Sequence, residues 1–337
     1  MDKQLAPSWH QGEVTMQQRA GTDKRMADIG PKFIRQYLPQ QHRDFFESLS
    51  MIFIGYAIQP LHTNAAVLFG APGFVQSITD TELVINTQYS MGDVINDHLN
   101  VGDRIGLLGI VFETKRRNRI NGVITDINQK SIRVKVLQSY GNCPKYIQPK
   151  AFIPNRNYGE FSRSTRSQLS QTDKQLITNA DTFFIGSCFD DGQQLNNRGA
   201  DISHRGGPAG FVSINPQGQL LINDYAGNGF FNTLGNLLEN PIASLLFCDW
   251  QQGHALHITV SSQIIWQDVE QAGSAEFVNT TDTLNKDTVT QTERTLCFTP
   301  LKVEQLTNGL AYRQANRCEN PCYKIASAIT QTAHRCG

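Results

Sequence analysis

Phe53-Ile54-Gly55, Pro72-Gly73-Phe74-Val75 and Leu83-Val84-Ile85-Asn86 follow one another in the first half of the chain. In the second half Phe184-Ile185-Gly186, Ala209-Gly210-Phe211-Val212 and Leu220-Leu221-Ile222-Asn223 come in the same order. Each series continues into a helix-like stretch and then a buried-type apolar run, 105–111 in the first and 243–248 in the second, followed by a further strand pair. Repeated order over such a span marks two copies of one domain. Short apolar runs parted by turn residues, such as Thr79-Asp80 and 126–129, read as hairpin-connected strands. In the first copy these are 51–57, 65–69, 75–79, 83–86, 105–112, 119–129 and 131–137, with one helix at 91–99. About six short strands and one helix per copy predict a small antiparallel barrel, a closure that removes exposed sheet edges. The expected class is mainly β: two tandem barrels with peripheral helices.

Around this core, residues 1–50 read as an irregular lead-in followed by a helix. Pro31 opens 32–38, and 40–50 carries Phe45, Phe46 and Leu49 on a helical period. The first barrel covers 51–150. A polar stretch punctuated by Pro144, Pro149 and Pro154 leads into a linker, 151–172, rich in Ser, Arg and Gln and ending in a short helix. The second barrel covers 173–306, with a looser insertion at 272–291, and 307–337 reads as a weakly helical, peripheral tail.

A chain of 337 residues suits two domains. Thirty basic and thirty acidic residues cancel, so net charge draws the chain to no nucleic acid. No apolar run approaches the roughly 18–20 residues that span a bilayer. The first residues carry no signal-like apolar core, so a cytoplasmic location is expected. The seven scattered cysteines read as reduced thiols. Cys318, Cys322, His334 and Cys336 do not have a dependable zinc spacing, and no metal site is expected. No serine–histidine–acid order and no phosphate loop is visible.

The second copy carries Asp201-Ile202-Ser203-His204-Arg205-Gly206-Gly207-Pro208-Ala209-Gly210-Phe211-Val212, then Asn223-Asp224-Tyr225-Ala226-Gly227-Asn228, then Phe231-Asn232-Thr233-Leu234-Gly235-Asn236 and Asn240-Pro241. This succession resembles the pyridoxamine 5'-phosphate oxidase-like family of FMN-binding split barrels. Tyr140-Gly141-Asn142-Cys143-Pro144-Lys145-Tyr146-Ile147 and Pro7-Ser8-Trp9-His10-Gln11-Gly12-Glu13 look like a two-barrel subgroup of that family. The resemblance implies tandem split barrels of the FMN-binding type. It also implies an oxidoreductase-type flavoprotein whose flavin takes a hydride or electrons at N5, in a site between the barrels. Such barrels usually pair about a two-fold axis. Two copies in one chain would satisfy that pairing internally, as a pseudo-dimer, with further homodimerisation possible. FMN is the expected cofactor, with FAD and haem as alternatives; the partner is a nicotinamide cofactor or a redox protein. A non-enzymatic flavin or haem carrier is the alternative function.

The residues are read in the same terms. A phosphate needs donors and favourable charge, which a helix start supplies. Asn228, Asn232 and Thr233, at the start of the helix-like stretch in the second copy, are neutral donors, and Arg205 on the preceding strand adds positive charge. The family places Arg and Lys near that helix start, and here Asn232 and Thr233 stand in those places. The first copy has Asp93 and Asp97 there, which repel phosphate. Gly207, Pro208, Ala209, Gly210 and Phe211 let a flat ring approach backbone, or else form a glycine-rich barrel corner. Asn223, Asp224 and Tyr225 follow on the next strand. Lys115-Arg116-Arg117-Asn118-Arg119 has no counterpart in the second copy. If the barrels pair as family subunits do, Arg117 or Arg119 faces a flavin held by the second copy; otherwise the run is a solvated basic hairpin. Cys143 reads as a turn cysteine, or as a thiol tuned by Lys145. His10 and Glu13 form a local polar contact, and Trp250 and Trp266 pack at the barrel surface or interface. The expectation is one complete flavin site built from two unequal halves.

Overall fold

A computed structural model describes residues 8–58, 62–86, 89–90, 98–159, 161–266 and 294–315. The helix expected at 91–99, apart from its last two residues, the insertion at 272–291 and residues 316–337 of the tail lie outside the described residues, whereas 307–315 of the tail are described and hold no helix.

Three helices precede the first sheet: α1 (Gln11–Arg19), α2 (Asp23–Phe33) and α3 (Gln40–Glu47). The lead-in is thus more helical than its sequence suggested. His10 caps α1: its Nδ1 accepts from the Gly12 amide, and the Glu13 carboxylate accepts from the His10 amide. Pro31 does not open a helix over 32–38 but lies in the last turn of α2. Proline brings no amide hydrogen to the preceding turn, so the helix stops at Phe33.

The chain then forms β1 (Met51–Ile58), β2 (His62–Phe69), β3 (Val75–Thr79), β4 (Glu82–Asn86), β5 (Tyr89–Ser90), β6 (Arg104–Val111), β7 (Arg116–Ile127) and β8 (Ser131–Asn142). Next come β9 (Phe152–Pro154), β10 (Ser162–Arg166) and α4 (Gln171–Asn179). The second half holds β11 (Thr182–Phe189), β12 (Gly199–Gly206), β13 (Val212–Ile214), β14 (Leu220–Asn223), α5 (Asn232–Glu239), β15 (Ile242–Asp249), β16 (His254–Trp266), β17 (Arg294–Thr307) and β18 (Tyr312–Gln314).

The first sheet runs β3-β4-β8-β7-β6-β1-β2-β5 and the second β13-β14-β17-β16-β15-β11-β12, so apart from the short β5 the two have one strand order. Every ladder is antiparallel. The mainly-β class with peripheral helices is therefore the one observed. Each sheet packs around a core of its own. Phe53, Ile85, Leu107 and Val134 are buried in the first, and Phe183, Ile222, Leu245 and Phe298 in the second. The sheets meet through matching residues: Phe53 and Phe184, the first positions of the two quoted triplets, stack at 3.5 Å with planes 16° apart. Trp250 is buried against Phe112 and Phe152, across the same boundary.

The segment 151–172 is stitched into the sheets. β9 pairs with β18, and β10 pairs with β17 from Ser162↔Thr307 to Arg166↔Val303. Among the described residues, no helix is long and apolar enough to cross a membrane.

Candidate functional site

β7 is a long antiparallel strand inside the first sheet, paired with β6 and β8, and Arg117 and Arg119, two residues apart, share one of its faces. β12 of the second half runs close to it with Ser203, His204 and Arg205, and the start of α5 closes the same space. Together they line a cavity of about 300 Å³, at the small end of ligand cavities (~300–1,000 Å³). Ala20 and Thr22, between α1 and α2, form part of its wall.

The structure brings Arg117, Arg119, Arg205, Phe211, Asn223, Asp224, Tyr225, Asn228, Asn232 and Thr233 to this cavity. Gly207, Pro208, Ala209 and Gly210 do not line it: they form a turn, with the Phe211 amide on the Pro208 carbonyl and the Gly210 amide on the Thr178 carbonyl. This matches the glycine-rich corner, not a ring-facing wall.

The cations dominate the site. Arg205 Nη1 and Arg294 Nε donate to the two oxygens of buried Asp224, at 2.9 and 3.1 Å. Asp224 is the one carboxylate lining the cavity among the described residues. Arg119 lies 3.5 Å from Asp201 and donates to Tyr140, Asn232 and Ser203. Arg117 has neutral partners only among the described residues: its Nη1 lies 3.1 Å from His204 Nδ1, and its Nη2 donates to the Cys143 carbonyl at 2.7 Å. Burial first, then Arg119 and Arg205, push the Arg117 guanidinium down to about 10, still cationic at neutral pH.

His204 is held well below its usual range by burial and by Arg117, Arg205 and Lys150, so its ring is neutral. Arginine only donates, so His204 Nδ1 accepts from Arg117 and the ring proton sits on Nε2. That Nε2–H, and the Nε–H groups of Arg117, Arg119 and Arg205, are buried without a hydrogen-bond partner. Buried donors left unpaired cost about 1–3 kcal/mol each, more when charged. All four belong to residues that line one cavity, and the cationic excess there, with the positive end of α5, suits that cavity to an anion.

Asn232 and Thr233 serve a different purpose from the one expected. Asn232 Nδ2 donates to Glu13 Oε1 at 2.5 Å, while its Oδ1 accepts from Arg119 and Tyr140. Thr233 donates to Ser203 at 2.8 Å. Both side chains are engaged in internal bonds. The missing fact is the docking of α1 on α5. The helices approach so closely that a β-carbon on Gly12 would strike the Gly235 carbonyl, which drops Glu13 onto Asn232 and His10 onto Asn236 at 2.9 Å. Burial lifts Glu13 to about 8 and lowers His10 to about 4, so their 3.7 Å contact is neutral between those values. Arg205 is likewise half engaged, by Asp224, and its Nε is buried without a partner. Asn228 bridges to Asn142 at 3.3 Å and accepts from the Phe230 amide.

Sequence reasoning missed His204, Arg294, Tyr146 and Glu13. The alternation of β12 put His204 beside Arg205 in plain view, but Arg294 and Glu13 reach the site from remote parts of the chain. Trp266, expected at a surface or interface, lies 4.9 Å from the Arg294 guanidinium and 4.2 Å from that of Arg19.

A second cavity of about 370 Å³ lies where the shared strand order places its counterpart, between β16 and β2. His62, Thr63, Arg163, His257, Lys302 and Glu304 are among its lining residues. Glu304 is held down to about 2, by His257 first and then Lys302. Ser244, His257 and Glu304 form a hydrogen-bonded and charged chain, 2.5 and 3.5 Å per step. Ser244 is fully buried and off the cavity wall, so it offers no nucleophile.

No family model and no curated protein matches the chain. Among solved structures, the chain is similar to a putative pyridoxamine 5'-phosphate oxidase from Lactobacillus delbrueckii (12% identity, 40% of this chain and 93% of that one, TM-score 0.27). It is also similar to an FMN-binding protein from Syntrophomonas wolfei (8% identity, 37% and 96%, TM-score 0.27). A third similar structure is the K. pneumonia MrkH–c-di-GMP complex (10% identity, 90% and 99%, TM-score 0.23). Likenesses this remote carry no argument about ligand or activity.

Proposed function

We propose that the cavity between β7 and β12 binds FMN, and that the protein is a flavoprotein of oxidoreductase type. The observation that carries the reading is the set of unpaired buried donors on Arg117, Arg119, His204 and Arg205. They fit the phosphate of a flavin mononucleotide, and Tyr225, Phe211 and Phe231 offer aromatic surface for its ring. A flavin, when bound, supplies reversible uptake of a hydride or electrons at N5. The chain's own residues hold the anion, orient it through Arg117 and Arg205, and keep Arg205 and Arg294 fixed through Asp224. Haem is disfavoured because the imidazole on the wall, His204, has its Nδ1 lone pair occupied by Arg117.

The shared strand order and the Phe53–Phe184 stack support a duplicated chain acting as its own pseudo-dimer, with one flavin site shared by the halves. The test is direct. Purified protein titrated with FMN should gain the bound-flavin band near 450 nm with one flavin per chain. Anaerobic NADH or NADPH should then bleach it; a bound flavin that neither bleaches would make the protein a carrier. Absence of FMN binding would overturn the reading.

A further inference from the structure

The end of β8 and the segment after it, Gly141-Asn142-Cys143-Pro144-Lys145-Tyr146, cross from the first half over the cavity of the second. It is tied down at four points. Arg117 holds the Cys143 carbonyl at 2.7 Å, and Asn228 reaches Asn142 at 3.3 Å. Tyr146 Oη donates to the Ala226 carbonyl at 3.1 Å, and Ile147 behind it is buried. Tyr146 has φ of 66°, a left-handed backbone that a bulky residue adopts only when its surroundings demand it. Its carbonyl lies where any β-carbon at position 206 would stand, so Gly206 is what permits the crossing. The result is an aromatic pair: Tyr146 and Tyr225, one from each half, with ring centroids 5.5 Å apart and planes 28° apart, both on the cavity wall.

The other half makes a comparable crossing with Tyr312, after β17. There the hydroxyl donates to the Gly70 carbonyl at 3.2 Å, and the half-buried ring packs on Phe69 at the edge of the apolar core. Tyr312 is absorbed by packing, whereas Tyr146 lines a cavity whose cationic residues carry buried, unpaired donors.

We infer that Tyr146 is a specificity-determining residue: with Tyr225 it forms an aromatic platform, so that the site selects phosphates carrying a planar aromatic group over phosphate alone. The inference rests on the flavin reading for the choice of FMN as first probe, but the platform accepts any aromatic ring at the right distance from the anion site. Stacking is tolerant of ring identity, while the cations fix the charged end.

The test uses the full chain, with FMN, AMP and inorganic phosphate as probes, and wild type against Tyr146→Leu and Tyr146→Phe. Affinities come from fluorescence titration and from ligand-induced thermal shift. Tyr146→Leu should weaken FMN about tenfold, restore fluorescence that the tyrosines quench in the bound flavin, and leave the phosphate shift unchanged. Tyr146→Phe keeps the ring and should hold FMN within about threefold. A merely structural role would move the FMN and phosphate responses by the same factor and would overturn the inference. FMN binding unaltered by Tyr146→Leu would overturn it while leaving the flavin reading intact. AMP bound in preference to phosphate and lost with Tyr146→Leu, with no FMN binding, would sustain the platform and sink the flavin reading. Neither aromatic phosphate exceeding phosphate itself would overturn both.

Discussion

The two cavities are built from corresponding strands and differ in how their charges are paired. Between β7 and β12, five basic side chains (Arg117, Arg119, Lys145, Arg205, Arg294) meet one lining carboxylate, Asp224, and four buried donors are left unpaired. Between β16 and β2, Arg163 and Lys302 meet one lining carboxylate, Glu304, which takes Lys302 and His257, and no lining side-chain atom is buried without a partner among the described residues. A shared strand order supplies two clefts; the larger cationic excess and the unpaired buried donors belong to one of them, the proposed anion site.

The hardest test of that contrast is Asp224→Asn. It leaves Arg205 and Arg294 without their common counter-ion, and breaking a buried pair typically costs about 3–5 kcal/mol. Urea unfolding should show a loss of that size. Added phosphate should recover more stability in this variant than in wild type, because an external anion replaces the lost charge. Glu304→Gln in the other cavity should gain nothing from phosphate. Equal rescue of both variants would erase the distinction between the cavities.

Arg117→Ala comes next. A charge-assisted hydrogen bond is worth about 1.5–3 kcal/mol, so FMN should bind about 10- to 150-fold more weakly in an equilibrium titration. Stability of the empty protein should fall little or rise, since the variant removes a buried cation that had no acidic partner. A large stability loss with unchanged FMN affinity would make Arg117 a structural group.

What was legible in the sequence was what local pattern encodes. The repeated Phe-Ile-Gly triplets announced the paired strands because buried strands show as apolar runs. Arg117 and Arg119 announced one face because strand side chains alternate. The strands of 151–172 were hidden: β10 reads Ser-Arg-Ser-Thr-Arg, a largely solvent-exposed strand with no apolar alternation to betray it. The true partners of Asn232 were hidden for another reason. Glu13 lies 219 positions away in sequence, and only the α1–α5 crossing brings it near. Arg294 follows a long insertion, and the tautomer of His204 depends on Arg117, a contact 87 positions apart.

The Glu13 contact sharpens the comparison through pH. Glu13 rises from its ordinary 4.5 to about 8 on folding, so between these values the folded state holds a proton that the unfolded state releases. Stability therefore falls as pH rises through this window. His10 runs the other way, lowered to about 4, and gains stability as pH rises to its unfolded value of 6.5. His204 and His42, also lowered, act in the same direction as His10. The Glu13 slope is accordingly exposed from pH 6.5 to 8, where it amounts to about 2 kcal/mol. Denaturant midpoints across that range should decline in wild type and stay flat in Glu13→Gln. An equal decline in both would place the titrating group elsewhere.

The smallest expected effect is at the second cavity, and it is the most diagnostic for being small. Lys302 is 51% exposed and pairs with Glu304 at 3.1 Å. Exposed pairs of this kind contribute about 0–1 kcal/mol, so Lys302→Ala should leave stability within about 0.5 kcal/mol and FMN affinity within about twofold. Glu304 keeps its contact with His257, so the variant exposes no buried unpaired charge. A tenfold loss of FMN affinity would mean that the flavin phosphate rests on Lys302, beside a carboxylate, and that the unpaired donors around Arg117 are not what recruits it. The anion site would then have to be moved across the molecule, and charge excess would no longer explain why one of two corresponding clefts binds.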